Sequence, residues 1–111
     1  MGVEFHITRA EFWADNEDSQ ISSEEWLNVV NTDPEFSIYE PSGEFFALWS
    51  GESAYPESWL EWCNGNISTK WPDTALYLKM LQVAKVLNAK VMDDDGTEYS
   101  SPGEWVFTPK S

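Results

Sequence analysis

Carboxylates and tryptophans are the side chains of this chain whose number and spacing could do chemistry. The 111 residues include 20 Asp and Glu against 6 Lys and Arg, so the formal net charge is −14, and there are 7 Trp. A charge of this size destabilises a compact chain by self-repulsion and attracts partners of opposite charge. Disordered acidic chains contain few aromatic residues, whereas 15% of this chain is aromatic. We therefore expect a folded domain whose negative surface repels nucleic acid and attracts basic protein.

The run from Asp93 to Glu98 contains the carboxylates and the glycine of a calcium-binding loop. Such a loop needs acids at alternate positions before the glycine and a bidentate acid six residues after it. The residue six positions after Gly96 is Pro102, whose side chain has no ligand atom. Asp-Gly is also a favoured pair in hairpin turns, because glycine tolerates a positive φ. The spacing therefore predicts a solvated hairpin turn without a bound metal.

Groups that could act as nucleophiles, bases or metal ligands are few. His6 is the only histidine and Cys63 the only cysteine, which excludes paired metal-ligand spacings and an internal disulfide. No serine or cysteine nucleophile lies near His6 in the sequence, the six glycines stand apart, and nothing singles out one pair of carboxylates. We predict that the chain is not an enzyme, that it takes no cofactor, and that Cys63 is a buried thiol.

Three acidic patches are the predicted partner-binding residues. No acidic residue follows Asp73 in the long helix predicted below, so the negative charge lies in the N-terminal half and in the loops. The middle patch also contains a tryptophan, a residue type enriched in interface hot spots. The alternative for each patch is an ordinary solvated loop. The patches are Asp15, Glu17 and Asp18; Glu52, Glu57 and Trp59; and Asp93, Asp94, Asp95 and Glu98.

The tryptophans have two interpretations, as core residues or as a binding surface. Trp26 occupies a hydrophobic-staple position one turn into a helix, and we expect it in the core. Trp59 and Trp62 differ in strand parity, so at most one of them faces inward if both lie in one regular strand. Together with Trp71 they could also form an aromatic platform that stacks on sugar rings.

The helices that position these residues begin at recognisable caps. Ser22 and Glu25 form a predicted capping box, and Asp33-Pro34 ends that helix. Apolar residues recur at helical spacing from Thr74 to Asn88 after an acidic start, with Lys79 and Lys85 expected on the surface.

Alternation of apolar and polar residues, together with turn residues, predicts the strands. The first strand is predicted to be half-buried, and the last segment either forms an edge strand or packs over one. The predicted strands are Val3–Arg9, Phe36–Tyr39, Glu44–Ser50, the segment around Trp59–Trp62 before an Asn64-Gly65 turn, Ile67–Trp71, Lys90–Met92, Thr97–Tyr99 and the tail Trp105–Phe107.

The order of elements predicts one α+β domain over residues 1–111, with a mainly antiparallel sheet packed with two helices. The chain has no run of about 18 apolar residues, so we expect no membrane span. Its first residues lack the basic start and apolar run of a secretory signal, and the cytoplasm is the expected compartment.

Seven short segments of the chain carry a resemblance to a known class of proteins: Ile7–Ala10, Glu24–Trp26, Trp71–Thr74, Lys79-Met80, Val83-Ala84, Leu87–Val91 and Asp94–Tyr99. They lie mainly in the C-terminal half, and they extend to the first strand and first helix. In these segments the sequence resembles small acidic bacterial immunity proteins, which are encoded beside polymorphic or contact-dependent toxins. The resemblance implies a protein without an active site that binds and neutralises a toxin.

The expected function is therefore that of an immunity protein whose acidic surface binds a cognate basic toxin domain, in particular a nuclease. Two alternatives belong to other classes. One is a nucleic-acid mimic that occupies a DNA- or RNA-binding protein, and the other is a tryptophan-rich carbohydrate-binding module. Direct binding of nucleic acid is not expected, because a positive groove cannot be built from six basic residues among 20 acids.

Overall fold

Two α-helices lie on one face of a seven-stranded antiparallel sheet in the computed structural model, which describes residues 4–53 and 57–107. The strands are β1 (Glu4–Thr8), β2 (Phe36–Ile38), β3 (Phe46–Trp49), β4 (Ser58–Cys63), β5 (Asn66–Lys70), β6 (Lys90–Asp93) and β7 (Glu98–Tyr99), and the helices are α1 (Ser23–Thr32) and α2 (Thr74–Val86). The strand order is β2-β3-β4-β5-β1-β6-β7. The predicted α+β fold, with a mainly antiparallel sheet and two helices, is confirmed.

Helix α1 begins at the predicted capping box. The Ser22 hydroxyl accepts from the Glu25 backbone N–H at 3.0 Å, and the Glu25 carboxylate accepts from the Ser22 N–H at 3.0 Å. The helix ends at Thr32, where Asp33 takes up an extended conformation before the proline. Trp26 is fully buried, as predicted, and its indole N–H donates to the carbonyl of Phe45.

Helix α2 begins at Asp73, whose carboxylate accepts from the Leu76 N–H at 2.9 Å. It ends at Val86, two residues before the predicted stop, and Asn88 has a left-handed φ of +56°. The expectation that Lys79 lies on the surface is wrong. Only 8% of Lys79 is exposed, because the segment between α1 and β2 supplies two acidic partners that the helical pattern alone does not reveal.

The core lies between the helices and one face of the sheet. Phe5 and Ile7 of β1 stand opposite Thr69 and Ile67 of β5, and all four are buried on that face. From β4, Leu60 also points there and is fully buried. The alternation of these strands decides which side chains face the helices and which face away from them.

The other face of β1 is also buried, so the prediction of a half-buried strand is wrong. His6 and Thr8 point away from the helices, yet they are buried to the same degree as core residues. Residues 10–20, which we call the strap, cross this face, and the Trp13 ring stacks on His6 with centroids 4.0 Å apart. The strap has no regular secondary structure, so its sequence has no hydrophobic periodicity from which its position over the sheet could be predicted.

Side-chain amides hold the strap to the turn between β4 and β5. Asn16 donates to the carbonyl of Asn64 at 2.7 Å, and Asn66 donates to the carbonyl of Trp13 at 2.7 Å. Asn64 and Gly65 have φ values of +51° and +89°, which is the type I′ geometry predicted for this pair. Cys63 is exposed beside this turn, so the prediction of a buried thiol is wrong. Its side chain is on the strap side of the sheet, at the end of β4, where the strap leaves it uncovered.

The C-terminal segment packs over the core without adding a strand. The Trp105 ring lies 4.6 Å from the Phe5 ring, and its indole N–H donates to the carbonyl of Pro72 at 2.8 Å. The carbonyl of Phe107 accepts from the first N–H of α2, at Thr74. Of the two predictions for this tail, packing over the sheet is the one confirmed. No helix within the described part of the chain is long and apolar enough to span a membrane.

Candidate binding face

The strap covers only the half of the sheet that contains β1 and β6. On the same side, β3 and β4 present residues that alternate with buried ones: Phe46 and Leu48 flank Ala47, and Trp59 precedes Leu60. These side chains remain partly exposed. We call this surface the open face; it consists of Tyr39, Phe46, Leu48, Trp59 and Glu61.

A pair of stacked aromatic rings forms the centre of the open face. The rings of Phe46 and Trp59 have centroids 5.1 Å apart and an interplanar angle of 22°. Tyr39, which is 45% exposed, extends this cluster with its ring centroid 6.5 Å from that of Phe46. Strand register places Leu48 opposite Trp59 and Glu61 opposite Phe46. An apolar centre therefore has a carboxylate beside it on the same strands.

The two tryptophans of β4 lie on opposite faces of the sheet, as their parity predicts. The indole N–H of Trp62 donates to the carbonyl of Ile21 at 2.7 Å, and the ring packs edge-on against Phe45 on the core side. Trp59 is half-buried on the open face. An aromatic platform that combines Trp59, Trp62 and Trp71 on one face does not form.

The middle patch is divided between two cavities. Glu57 and Trp59 line one cavity of about 340 Å³, together with Trp71 and Lys70. Glu52 lies in another cavity of about 380 Å³, next to Trp49. Glu57 and Glu52 are both exposed. The structure thus brings Glu57 to Trp59 and leaves Glu52 apart from them.

The C-terminal patch is largely used to build its own turn. Asp93 accepts from the N–H groups of Asp95 and Thr97 at 3.0 Å each, and from the Tyr99 hydroxyl at 3.0 Å. Burial, reinforced by the hydrogen bond to Asp93, raises the pKa of Tyr99 to about 12. Asp95 and Glu98 are exposed. The turn itself matches its prediction, with Gly96 at a φ of +84°.

Asp94 also has an internal role. Its carboxylate lies 3.0 Å from Nε2 of His6, and it accepts from the Glu4 N–H at 3.2 Å. The predicted residues of the first patch, Asp15, Glu17 and Asp18, are all exposed on the strap. They are therefore available to a partner, but they flank Asn16, which is bonded to the turn between β4 and β5, and they do not belong to the open face.

Two of the basic residues, Arg9 and Lys79, form ion pairs within the described part of the chain. The Lys79 ammonium lies 2.6 Å from Asp33 and 2.8 Å from Glu35. Arg9 forms a two-pronged pair with Glu25, and its hydrogen bond, helped by the Ser22 backbone, lowers the pKa of Glu25 to about 2. The other residues of the chain, 17 acidic and 4 basic, keep a formal charge of −13, so these pairs remove almost none of the negative excess.

The sequence reasoning identified Trp59 but missed Phe46, Leu48 and Glu61. A signal for them exists in the run Phe45–Trp49, which is apolar at every position instead of alternating. A strand of this kind is apolar on both faces, so one apolar face is left without a helix to cover it.

Among the described residues, no group of three or more His, Cys, Asp and Glu side chains is arranged to hold a metal ion. The comparisons with known protein families, with characterised proteins and with solved structures found no match to this chain.

Proposed function

We propose that this chain is an immunity-type inhibitor, which binds and neutralises a basic protein, in particular a cognate toxin domain such as a nuclease. The observation that carries the proposal is the open face, where the Phe46 and Trp59 rings stack, Glu61 stands opposite Phe46, and Glu57 lines the adjoining cavity with Trp59. In the described chain, neither of these glutamates belongs to an ion pair.

The open face has the composition of an interface hot spot. Aromatic anchors supply most of the binding free energy at the centre of an interface, while surrounding groups exclude water. Carboxylates at the rim accept charge-assisted hydrogen bonds from Lys and Arg of the partner. A nuclease offers such a surface, because the cleft that binds its phosphate backbone is lined with Lys and Arg.

The net charge of −14 supports fast association with such a partner. A field of one sign raises the rate of encounter with an oppositely charged protein and is weakened by salt. The proposed compartment is the cytoplasm, where an exposed single thiol such as Cys63 stays reduced.

Carbohydrate binding is the second candidate function, and one observation favours it. Trp59 and Trp71 line the same cavity, where hydrogen-bonding groups of Glu57 and Lys70 are also present. The nucleic-acid mimic differs from the main proposal only in the identity of the basic partner.

The test is protection of growing cells. The protein encoded next to this chain is expressed from an inducible promoter, with or without the wild-type chain or its variants. We expect wild type to restore growth and the double variant Trp59→Ala, Glu61→Lys to fail. Glu24→Lys is the matched control, since Glu24 is exposed on α1, on the helix side of the sheet. Growth restored equally by the double variant would show that the open face is not the site.

A further inference from the structure

We propose that the cavity beside the open face is an anchor pocket for an arginine side chain of the partner. The inference rests on the proposed function and names the partner group that the site recognises. Trp59, Trp71 and Glu57 are the three residues that give the cavity this chemistry. Its volume of about 340 Å³ is at the lower end of ligand pockets, which range from about 300 to 1,000 Å³.

Two indole rings line the cavity that a guanidinium group would enter. Trp59 stacks on Phe46 and also lines the cavity. Trp71 is 38% exposed, and its ring centroid lies 5.5 Å from that of Phe107. Tryptophan is the aromatic side chain that attracts cations most strongly. A guanidinium also stacks on indole through its flat, weakly hydrated face, which the lysine ammonium cannot do.

The backbone at Trp71 has an unusual conformation. Trp71 has a φ of +44°, in the left-handed region that bulky residues seldom adopt. The neighbouring Pro72 carbonyl accepts from the indole of Trp105, and Phe107 is hydrogen-bonded to Thr74 at both its N–H and its carbonyl. Strained residues of this kind persist where the surrounding structure fixes them, and they cluster at binding sites. The C-terminal segment is therefore the support of the pocket.

One carboxylate and one ammonium also line the cavity, together with Ser58, Thr69 and Leu76. Glu57 is exposed immediately before β4 and can accept the paired N–H donors of a guanidinium. Lys70 lines the same cavity, and no ion pair joins it to Glu57 in the part of the chain described. The Lys70 ammonium repels an incoming cation, so its removal strengthens arginine binding, whereas removal of the Glu57 charge weakens it.

The pocket can be tested on the full-length protein without its partner. The probes are N-acetyl-arginine amide, the lysine amide, and the citrulline amide, which has nearly the shape of arginine but no charge. Indole N–H resonances are followed by NMR during each titration. We expect arginine amide to shift the Trp59 and Trp71 resonances saturably, and lysine amide to bind at least threefold more weakly.

Variants assign the binding to the named groups. Glu57→Gln should weaken arginine binding at least threefold, and Lys70→Ala should strengthen it by at least twofold. Trp71→Gly should abolish it while keeping the backbone fold, because glycine accepts a positive φ without strain; a thermal melt checks the fold. Equal shifts with citrulline, no saturable shift with arginine, or saturable binding of the disaccharide cellobiose in its place would overturn the inference.

The partner complex separates this inference from the proposed function. If Trp59→Ala and Glu61→Lys weaken the complex while Trp71→Gly and Glu57→Gln leave its affinity unchanged, the arginine pocket is wrong and the binding face stands. If none of the four variants weakens the complex, the proposed function at this face is wrong as well.

Discussion

At the scale of single residues, Lys79 is a charged side chain that is buried in the folded protein. Its ammonium bridges Asp33, just after α1, and Glu35, just before β2, and it lies 5.3 Å from the centre of the Phe36 ring. The hydrogen bond from Lys79, followed by that from Trp49, lowers the pKa of Glu35. This cluster links helix α2 to the junction between α1 and β2.

We expect Lys79→Met to destabilise the protein by about 2 kcal/mol. Removal of one partner from a buried ion pair costs about 3–5 kcal/mol, and partial exposure of Asp33 reduces that figure here. Lys85→Met is the matched control, because Lys85 is exposed on the same helix. Urea denaturation of the two variants measures the difference, and equal stabilities would contradict a structural role for the Lys79 cluster.

The Arg9–Glu25 pair predicts a change of stability in acid. The pKa of Glu25 is about 2 in the folded protein against an ordinary 4.5, so its stabilising effect is complete above pH 4.5 and is lost as the pH falls towards 2. Because 41% of the Glu25 side chain is exposed, solvent screening limits the size of the effect.

The measurement compares Glu25→Gln with wild type in urea denaturation at several pH values. We expect a stability difference that is constant above about pH 5 and shrinks below about pH 4. Glu24→Gln removes the same charge from the neighbouring exposed position and serves as the control. A difference that does not depend on pH would show that the Glu25 charge contributes nothing.

Sequence reasoning at this scale succeeds where the signal is local. The Ser22 cap, the buried Trp26 and the Asn64-Gly65 turn depend on neighbours within a few residues, and all were predictable. The roles of Lys79 and Cys63 depend on elements distant in sequence. Spacing along one helix or strand carries no information about those elements.

At the scale of elements, the strap determines which part of the sheet a partner can reach. It is fixed by the Trp13 indole, which stacks on His6 and donates to the carbonyl of Asp94 at 3.0 Å. Without the strap, the buried outer side chains of β1 and β6 would join the open face. The candidate binding surface is thus the half of this sheet face that the strap leaves uncovered.

We expect Trp13→Ala to loosen the strap without unfolding the sheet. The cost is about 2 kcal/mol, less than for a fully buried tryptophan, because Trp13 is half-buried. Amide hydrogen exchange should speed up over residues 10–20 and at β1, while α2 keeps its protection. Glu11→Ala, at an exposed position of the strap, is the control. Uniformly faster exchange across the whole chain would contradict a local role.

The helices and strands were largely predictable from the sequence. The covering of the outer face of β1 by the strap was not. Helical spacing predicted α1 and α2, and turn residues predicted the hairpins, because each pattern is repeated over several residues. The strap has no periodicity, so the burial of His6 was missed. The open face was only partly anticipated, through Trp59, because strand order decides which apolar residues end up side by side.

At the scale of the whole molecule, the excess of negative charge favours binding of a basic partner and lowers the stability of the fold. A net charge of −14 favours encounter with a basic protein and disfavours the compact chain. Internal pairing uses only three acidic residues with Arg9 and Lys79, so the folded surface retains most of the repulsion. The overall charge is read directly from composition, while its distribution over faces requires the fold.

Salt should therefore stabilise the free protein. Raising NaCl from about 0.01 M to about 0.3 M shortens the Debye length from about 30 Å to below about 8 Å, which screens repulsion between the carboxylates. We expect the Tm to rise by several degrees, and thermal unfolding monitored by circular dichroism measures this change. Choline chloride in place of NaCl controls for specific binding of Na⁺. A Tm that falls with either salt would contradict dominant surface repulsion.

The affinity of the purified complex tests the binding face most directly. Calorimetric titration of the basic toxin domain into wild type, Glu61→Lys and Glu24→Lys compares one charge change on two sides of the sheet. Because hot-spot changes cost about 2 kcal/mol or more, we expect Glu61→Lys to raise the Kd about 30-fold or more. Glu24→Lys should raise it by no more than about threefold, through the change of net charge alone. Equal losses of affinity in the two variants would contradict a defined binding face and leave only a general attraction between opposite charges.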